Sequence, residues 1–261
     1  MNVSAACTAT AVALTTTESE SISSFSFDAA SNASSTNRYS GLQSIYRYNC
    51  DDETVNCTPL DDYVWRDNKD YKYSVDAVYD HPLELRPTRT IIVNMTSQNW
   101  LTEEEVTRTL WWHEMIISIP YDYDQTMQRS AVMLIDGGSN KPGRIISEDD
   151  SMVRGCQWIA KTTRTICAVL KQVPNERLYF LNDPRMGESG RTEDEIIAWT
   201  WRHFMDHPDQ PDWLLRLPMT KAARLALDTV DAVFKDNRLS MGLSNMRSKY
   251  SKTEPMINQQ A

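Results

Sequence analysis

The sequence predicts an α/β fold built on a largely parallel sheet. Three strand-like segments come first, and then a continuous apolar run, Ser130–Ile135, ends at the turn Asp136-Gly137-Gly138. A run without alternation is typical of a strand that is covered on both faces, as in the middle of a parallel sheet. Helical periodicity then takes over, and strands that give way to helices indicate a layered α/β fold. The three earlier strand-like segments are 71–79, 89–96 and 114–120.

Three helices are predicted after this run. The first begins after the N-cap Ser147 and continues through Leu170, with its apolar residues at three- and four-residue spacing. A short strand is expected at 177–181. The second helix, 193–205, starts with the capping box that Thr192 and Glu195 form, and the third covers 220–234.

Composition divides the chain into three parts. Residues 1–41 are rich in Ser, Thr, Ala and Asn and have no apolar periodicity, so we expect disorder there. Residues 42–235 carry the aromatic residues and the predicted elements, and they form the expected domain. Residues 236–261 are polar and are expected to form a disordered tail.

The charge balance bears on partners. The net charge of −9 argues against binding to nucleic acid or to anionic membrane surfaces, which both favour basic patches. No apolar run approaches the roughly 20 residues that a membrane-spanning helix needs. An apolar fraction of 41% is enough for a substantial core.

The five cysteines have no metal-type spacing. Cys50 and Cys57 are close enough in sequence to close a small loop, so they are the disulfide candidate. Cys156 and Cys167 fall on one predicted helix, about 16 Å apart at the rise of an α-helix, which predicts two buried free thiols.

Sequons for N-glycosylation give three candidate sites, although such short motifs also arise by chance. Asn94 follows an apolar segment, so burial is the alternative interpretation there. The N-terminus lacks the basic segment of a signal peptide and does not fix the compartment. The three candidates are Asn32, Asn56 and Asn94.

No catalytic residue can be assigned from the residues alone. A nucleophile elbow needs G-x-S-x-G between a strand and a helix, and the nearest match is 242–246, with Met246 at the second small position. No strand is predicted before it, so we reject Ser244 as a nucleophile. No histidine and carboxylate stand at a spacing that suggests a catalytic dyad.

No metal or cofactor is expected either. His203 and His207 stand four residues apart, but a zinc protease needs His-Glu-x-x-His and here Phe204 holds the place of the general base. We interpret the two histidines as partners for the C-terminal end of the helix dipole. An aromatic cluster is interpreted as core, with a ligand surface as the alternative, and its members are Trp100, Trp111, Trp112, Trp199, Trp201 and Trp213.

The paired glycines after the buried run have two interpretations. Without a Cβ, Gly137 and Gly138 let backbone N–H groups face outward. Such a strand-end loop can contribute to an oxyanion hole, and an ordinary turn is the alternative.

Over residues 58–233 the chain resembles the PhoPQ-activated pathogenicity-related family. The resemblance rests on six segments that occur in the same order, and these are 59–64 (PLDDYV), 94–100 (NMTSQNW), 110–113 (LWWH), 136–140 (DGGSN), 191–201 (RTEDEIIAWTW) and 213–222 (WLLRLPMTKA).

The resemblance implies an α/β-hydrolase-like three-layer sandwich that is incomplete here, because the chain has no elbow where the family has one. It also implies export, and it makes Gly137, Gly138 and Ser139 the equivalent of the oxyanion loop. Our first hypothesis is a secreted, non-catalytic signalling or binding protein with an unknown protein receptor or ligand. The alternatives are a piece of a longer serine hydrolase acting on an ester or amide, and a fragment that is not stable alone.

Overall fold

The computed structural model describes residues 57–81, 87–123, 130–138, 141–185 and 189–236. The strands are β1 (Lys72–His81), β2 (Thr88–Asn99), β3 (Leu110–Pro120), β4 (Ala131–Ile135) and β5 (Ile166–Leu170). The helices are α1 (Pro59–Trp65), α2 (Ser151–Thr163), α3 (Glu193–Asp206) and α4 (Arg216–Lys235), with a 3₁₀ turn at Pro211–Trp213. The predicted α/β class is confirmed.

The prediction of a mostly parallel sheet is wrong. The five strands have the order β1-β2-β3-β5-β4, and each neighbouring pair is antiparallel except β4–β5. The continuous apolar runs misled the prediction because they report burial of both faces, and helices can cover both faces of an antiparallel sheet too. The α/β-hydrolase-like arrangement expected from the family is therefore not confirmed by this mixed, open sheet.

The helices α4 and α2 pack on opposite faces of the sheet. Alternate residues of β2 divide between two core clusters, with Ile91 and Val93 in the cluster of α4 and Ile92 in the cluster of α2. From α4, Leu225 and Val230 enter the first of these clusters. This division follows from the two-residue period of a strand.

The strand β5 replaces the C-terminal end of the predicted first helix. The helix α2 ends at Thr163, where Arg164 takes a left-handed conformation (φ 57°) and its N–H donates to the carbonyl of Ala160. All five residues of β5 are buried. An apolar run of this kind has no period that separates helix from strand, so the sequence could not show the break.

Other boundaries differ less. The N-cap of α2 is Asp150 rather than Ser147, and α4 begins at Arg216, four residues before the predicted start. The predicted strand 177–181 forms only isolated bridges. The capping box of α3 is confirmed, since the N–H of Thr192 donates to Glu195 Oε2 over 3.0 Å.

A second, aromatic core lies beyond the end of the sheet. The Trp100 ring meets the Trp111 ring edge to face at 5.6 Å, and Phe180 stacks against Trp213 at 5.8 Å. All four of these side chains are buried, as predicted for the tryptophans, but Trp201 is 47% exposed. Trp100 and Trp213 of this core also line an open cleft.

The predicted segments 1–41 and 236–261 lie outside the described residues, apart from Asp236, which caps α4. Within the described part of the chain, none of the helices is long and apolar enough to cross a membrane.

Candidate functional site

An open cleft of about 860 Å³ lies at the end of β2. Its walls come from α1 and the loop after it, the end of β2, the 3₁₀ turn and α4. The lining residues are Tyr63, Arg66, Asp67, Asn68, Lys69, Asp70, Gln98, Asn99, Trp100, Leu101, Thr102, Glu105, Asp209, Gln210, Pro211, Asp212, Trp213 and Lys221.

A chain of side-chain hydrogen bonds fixes the inner wall. Thr58 and Asp61 cap the short helix α1 reciprocally. From this helix Tyr63 donates its hydroxyl to Gln98 Oε1 over 3.1 Å, and Gln98 Nε2 donates to the carbonyl of Pro218 over 2.7 Å. Gln98 therefore ties α1 to the start of α4 across the end of β2.

Arg66 lies at the mouth of the cleft between two carboxylates. Its Nη1 donates to Asp212 Oδ2 over 2.8 Å, and its Nη2 donates to Asp62 Oδ2 over 2.6 Å. Hydrogen bonds to these two carboxylates raise the pKa of Arg66 above its usual range. The guanidinium is thus held in place as a bridge between α1 and the 3₁₀ turn.

Lys221 is a buried amine in the wall of the cleft. Its Nζ donates to the carbonyls of Tyr63 (3.1 Å) and Arg66 (2.9 Å), at the C-terminal end of α1 where a cation is favourable. Burial, together with the charges of Arg224 and Arg66, lowers the pKa of Lys221 to about 8. A lysine with a lowered pKa in a cleft is a candidate functional group, although here it also holds the end of a helix.

The two tryptophans that line the cleft floor, Trp100 and Trp213, both have hydrogen-bonded indole N–H groups. Trp100 Nε1 donates to the carbonyl of Asp212 over 2.8 Å, and Trp213 Nε1 donates to Glu105 Oε1 over 3.1 Å. The ring of His203 stacks on Trp213, with 3.7 Å between the ring centroids. The floor is therefore rigid and apolar, and most exposed polar groups of the cleft lie at its rim.

A serine and a histidine form a buried hydrogen bond beneath this cleft, and neither side chain reaches the cleft surface. Ser97 lies at the β-bulge of β2, and its Oγ is 2.9 Å from His113 Nε2. His113 Nδ1 is 3.0–3.1 Å from the carbonyl oxygens of Lys171 and Gln172, which can only accept, so Nδ1 carries the proton and Ser97 donates to Nε2.

This pair is sealed from solvent. Both residues have an exposed fraction of 0%, and burial lowers the pKa of His113 to about 4. A general base must reach its substrate, and no surface of either side chain allows that contact. The pair therefore acts as a structural hydrogen bond that fixes the bulge next to Gln98.

The predicted oxyanion turn lies at the end of β4. The N–H of Gly137 donates to Asp136 Oδ1 over 3.0 Å, and the carbonyl of Gly137 accepts from the N–H of Gln172 over 3.3 Å. Gly138 has φ 112°, a conformation that favours glycine. Ser139 lies outside the described residues.

An ion pair between the buried Glu114 and the exposed Arg144 supports the strands next to this turn. The carboxylate of Glu114 accepts two hydrogen bonds from Arg144, and Gln172 Nε2 donates to Glu114 Oε2 over 2.8 Å. The Glu114 side chain is 3% exposed and that of Arg144 is 39% exposed. The pair anchors the segment between β4 and α2 to β3.

The predicted modification sites are only partly described. Asn94 is half-buried in β2, where it pairs with Ser74 and Glu114 on the two neighbouring strands. Cys57 is disulfide-bonded. The remaining candidates, Asn32, Asn56 and Cys50, lie outside the described residues.

The prediction that Cys156 and Cys167 lie on one helix is wrong. Cys156 lies on α2 and Cys167 on β5, and both side chains enter the same core cluster. The prediction of buried free thiols is confirmed.

The two spaced histidines lie at the end of α3. His203 is in its last turn, and the N–H of His207 donates to the carbonyl of His203. Across the described ranges, no three His, Cys, Asp or Glu side chains converge as metal ligands would.

Comparison with known proteins identifies the family of this chain. A model of the family described as "PhoPQ-activated pathogenicity-related protein" matches residues 60–243, more than half of the chain. The chain belongs to this family. It is also 31% identical to autocrine proliferation repressor protein A of Dictyostelium discoideum over 173 residues. This aligned region is 66% of this chain and 32% of that protein. The chain thus spans about a third of that relative's length. No solved structure matches the chain.

Sequence reasoning missed the cleft, although a signal for it was present. Three of the six family segments, 59–64, 94–100 and 213–222, converge at its walls and supply Tyr63, Gln98, Trp100, Trp213 and Lys221. Segments so far apart in the chain give no local pattern. All three belong to the six segments that carry the family resemblance, and this could have suggested that they form one site.

Proposed function

We propose that this chain is a secreted, non-catalytic signalling or binding protein of the PhoPQ-activated pathogenicity-related family, and that it binds a protein partner through the cleft at the end of β2. Membership in the family supports the signalling class, because the relative from Dictyostelium discoideum is named as an autocrine proliferation repressor. The cleft is the proposed binding surface because it is an open concave feature of about 860 Å³ whose walls carry three of the six family segments.

The observation that carries the non-catalytic proposal is that the reactive side chains in and below the cleft are either hydrogen-bonded to the protein itself or buried. Arg66 is bridged by two carboxylates, and Lys221 donates to two carbonyls. The buried hydrogen bond between Ser97 and His113 has no access to the cleft. Catalysis needs a nucleophile and a base that reach a substrate, and the described residues do not bring such a pair to the surface.

The rim of the cleft supports a protein as the partner. Asp67, Lys69, Asp70, Asn99 and Asp209 are exposed around it, so both signs of charge surround the buried aromatic floor. Polar rims around apolar centres are typical of protein interfaces, whereas small-molecule sites enclose most of their ligand. The cleft is wide and open, as expected for a protein interface.

A serine-directed probe tests the non-catalytic proposal. The native protein should show no covalent labelling by a fluorophosphonate, because Ser97 is out of reach. The Ser97→Ala variant serves as the matched control for any weak signal. Labelling of the native protein that disappears in this variant would establish an active serine and overturn the proposal.

The second candidate is that the chain is part of a longer α/β serine hydrolase acting on an ester or amide. Two observations favour it: the chain spans 32% of its relative, and the Gly137-Gly138 turn follows β4, which pairs in parallel with β5. In that case Gly137, Gly138 and Ser139 would contribute to the oxyanion hole. Coding sequence beyond Asn237 that supplies a strand and G-x-S-x-x-G would select this candidate.

Export is part of the first proposal. The disulfide at Cys57 supports it, because structural disulfides persist in oxidising compartments. We pair Cys57 with Cys50 and propose glycans at Asn32, Asn56 and Asn94. We expect the natural protein from culture medium to lose mass after treatment with peptide-N-glycosidase. A natural protein that is confined to the cytosol would contradict export.

A further inference from the structure

The turn after β4 contains the one Asp-Gly step of the chain, Asp136-Gly137. The backbone N–H of Gly137 donates to Oδ1 of the Asp136 side chain over 3.0 Å. This contact folds the carboxyl group back onto the next peptide bond, so the nitrogen of Gly137 lies beside the carboxyl carbon of Asp136. These are the two atoms that join when an aspartyl residue cyclises to a succinimide.

The glycine leaves the approach of these two atoms open. Gly137 is exposed, and no atom of a residue beyond its two neighbours lies within 4 Å of the position that a Cβ would take. Because glycine has no Cβ, its nitrogen can come closer to a carboxyl carbon than the nitrogen of any other residue. The turn therefore has the space that ring closure needs.

The other neighbour of the Asp136 carboxyl group holds it weakly. Lys171 Nζ is 3.8 Å from Asp136 Oδ2, which is beyond hydrogen-bonding distance, and the same ammonium group lies 3.5 Å from Asp150 Oδ2. The Asp136 side chain is 34% exposed, so water reaches it. Water is needed because it transfers protons during ring closure and later opens the ring.

We propose that Asp136 is a site of spontaneous backbone modification, at which aspartate in the folded protein converts to isoaspartate. The nitrogen of Gly137 attacks the carboxyl carbon, a C–N bond forms, and the C–OH bond breaks. The hydroxyl leaves as water with the proton of the nitrogen. Contact between the two reacting groups before the reaction lowers the entropic cost of this step.

Hydrolysis of the succinimide completes the conversion. Water adds to one of its two carbonyl carbons, and the bond from that carbon to the nitrogen breaks. Opening at the side-chain carbonyl restores aspartate, whereas opening at the main-chain carbonyl leaves the chain linked through the side chain of Asp136. One water is released and one is consumed, so the mass of the protein is unchanged and no oxidant is needed.

A second aspartate near this turn is held differently and serves as the internal control. Asp150 is followed by the small residue Ser151, but its Oδ1 accepts from the N–H of Met152 over 2.8 Å as the N-cap of α2. Its carboxyl group is thus bound two residues further on, and Ser151 is the first residue of the helix. Asp150 should therefore stay aspartate while Asp136 converts.

Conversion should loosen the turn from the end of β5. The N–H of Asp136 donates to the carbonyl of Leu170 over 2.8 Å, and the N–H of Gln172 donates to the carbonyl of Gly137 over 3.3 Å. Isoaspartate adds one carbon atom to the main chain between these two hydrogen bonds, so both cannot keep their geometry. The converted protein should therefore melt at a lower temperature than fresh protein.

Peptide mapping of the full chain tests the proposal. The folded protein is kept at neutral pH beside a synthetic peptide of residues 130–144 until half of that peptide contains isoaspartate. Trypsin then releases peptides 130–144 and 145–154 from the protein. We expect a second form of 130–144 that has the same mass, elutes separately, resists an aspartate-specific endoprotease at Asp136 and accepts a methyl group from an isoaspartyl methyltransferase.

Two variants connect this result to the geometry of the turn. Gly137→Ala should fold like the wild type, since its Cβ meets no other residue, and it should accumulate less isoaspartate because that Cβ hinders the attack. Asp136→Glu should accumulate none in peptide 130–144, because its longer side chain would have to close a larger ring. The proposal is overturned if peptide 130–144 from the folded protein stays unmodified, if it is modified no more than 145–154, or if Gly137→Ala accumulates as much isoaspartate as the wild type.

Discussion

At the scale of single residues, buried charges in this protein are held by several neighbours rather than by one. Lys221 donates to two carbonyls of α1, and Glu114 accepts from Arg144 and from Gln172. Taking a charge out of water is costly unless all of its hydrogen-bonding capacity is used. These contacts therefore make removal of a partner costly.

Replacement of Arg144 tests this cost. Arg144→Met should lower the free energy of unfolding by about 2–3 kcal/mol, because it leaves the buried carboxylate of Glu114 without its cation. Arg202→Met is the matched control, since Arg202 pairs with Asp206 on the exposed surface of α3 and should change the free energy of unfolding by under about 0.5 kcal/mol. Urea unfolding measures both, and equal losses would contradict the assignment.

His113 predicts a pH dependence. Its pKa is about 4 when folded against 6.5 as the reference, so the unfolded chain binds the additional proton between these values. The stability that neutral His113 provides is complete above pH 6.5 and is lost as the pH falls toward 4. Between pH 7 and pH 5 this amounts to roughly 2 kcal/mol.

The variant His113→Gln isolates this contribution. Urea unfolding at several pH values should show that the loss of stability between pH 7 and pH 5 is smaller in the variant by roughly that amount. Identical pH profiles for the two proteins would mean that His113 does not titrate as its burial requires.

At the scale of elements, the sequence predicted most strands and helices but missed the strand β5 and the direction of the strands. The strand β1 and the capping box of α3 were predicted because alternation and capping residues are local signals. The strand β5 was assigned to a helix because five consecutive apolar residues fit either structure. Strand direction is not encoded locally at all, so the antiparallel pairing of β3 with β5 could not be seen.

Gly190 provides a test at this scale. It has φ 72°, and a Cβ there would lie 3.0 Å from the ring of Tyr179, so Gly190→Ala should lower the free energy of unfolding by about 1–3 kcal/mol. Gly155→Ala is the control within α2, where no atom lies within 4 Å of the added methyl group. This change should instead raise stability by about 0.5–1 kcal/mol. Thermal unfolding distinguishes them, and a loss in both variants would contradict the local conformations.

At the scale of the whole molecule, the cleft assembles residues from distant parts of the chain. Tyr63, Gln98 and Lys221 are separated by dozens of residues but lie within one hydrogen-bonded wall. No spacing rule connects them, and their side chains carry no motif of their own. The family could therefore be recognised from its six segments, whereas the site required the fold.

The measurement that tests the central proposal most directly is competition for binding to cells that produce the protein. Labelled protein should bind saturably, and unlabelled wild type should displace it. The double variant Lys69→Glu with Asn99→Arg, which changes the rim of the cleft, should compete about tenfold more weakly. Lys141→Glu, which is exposed and outside the cleft, should compete like the wild type. Equal competition by both variants would show that the cleft is not the binding surface.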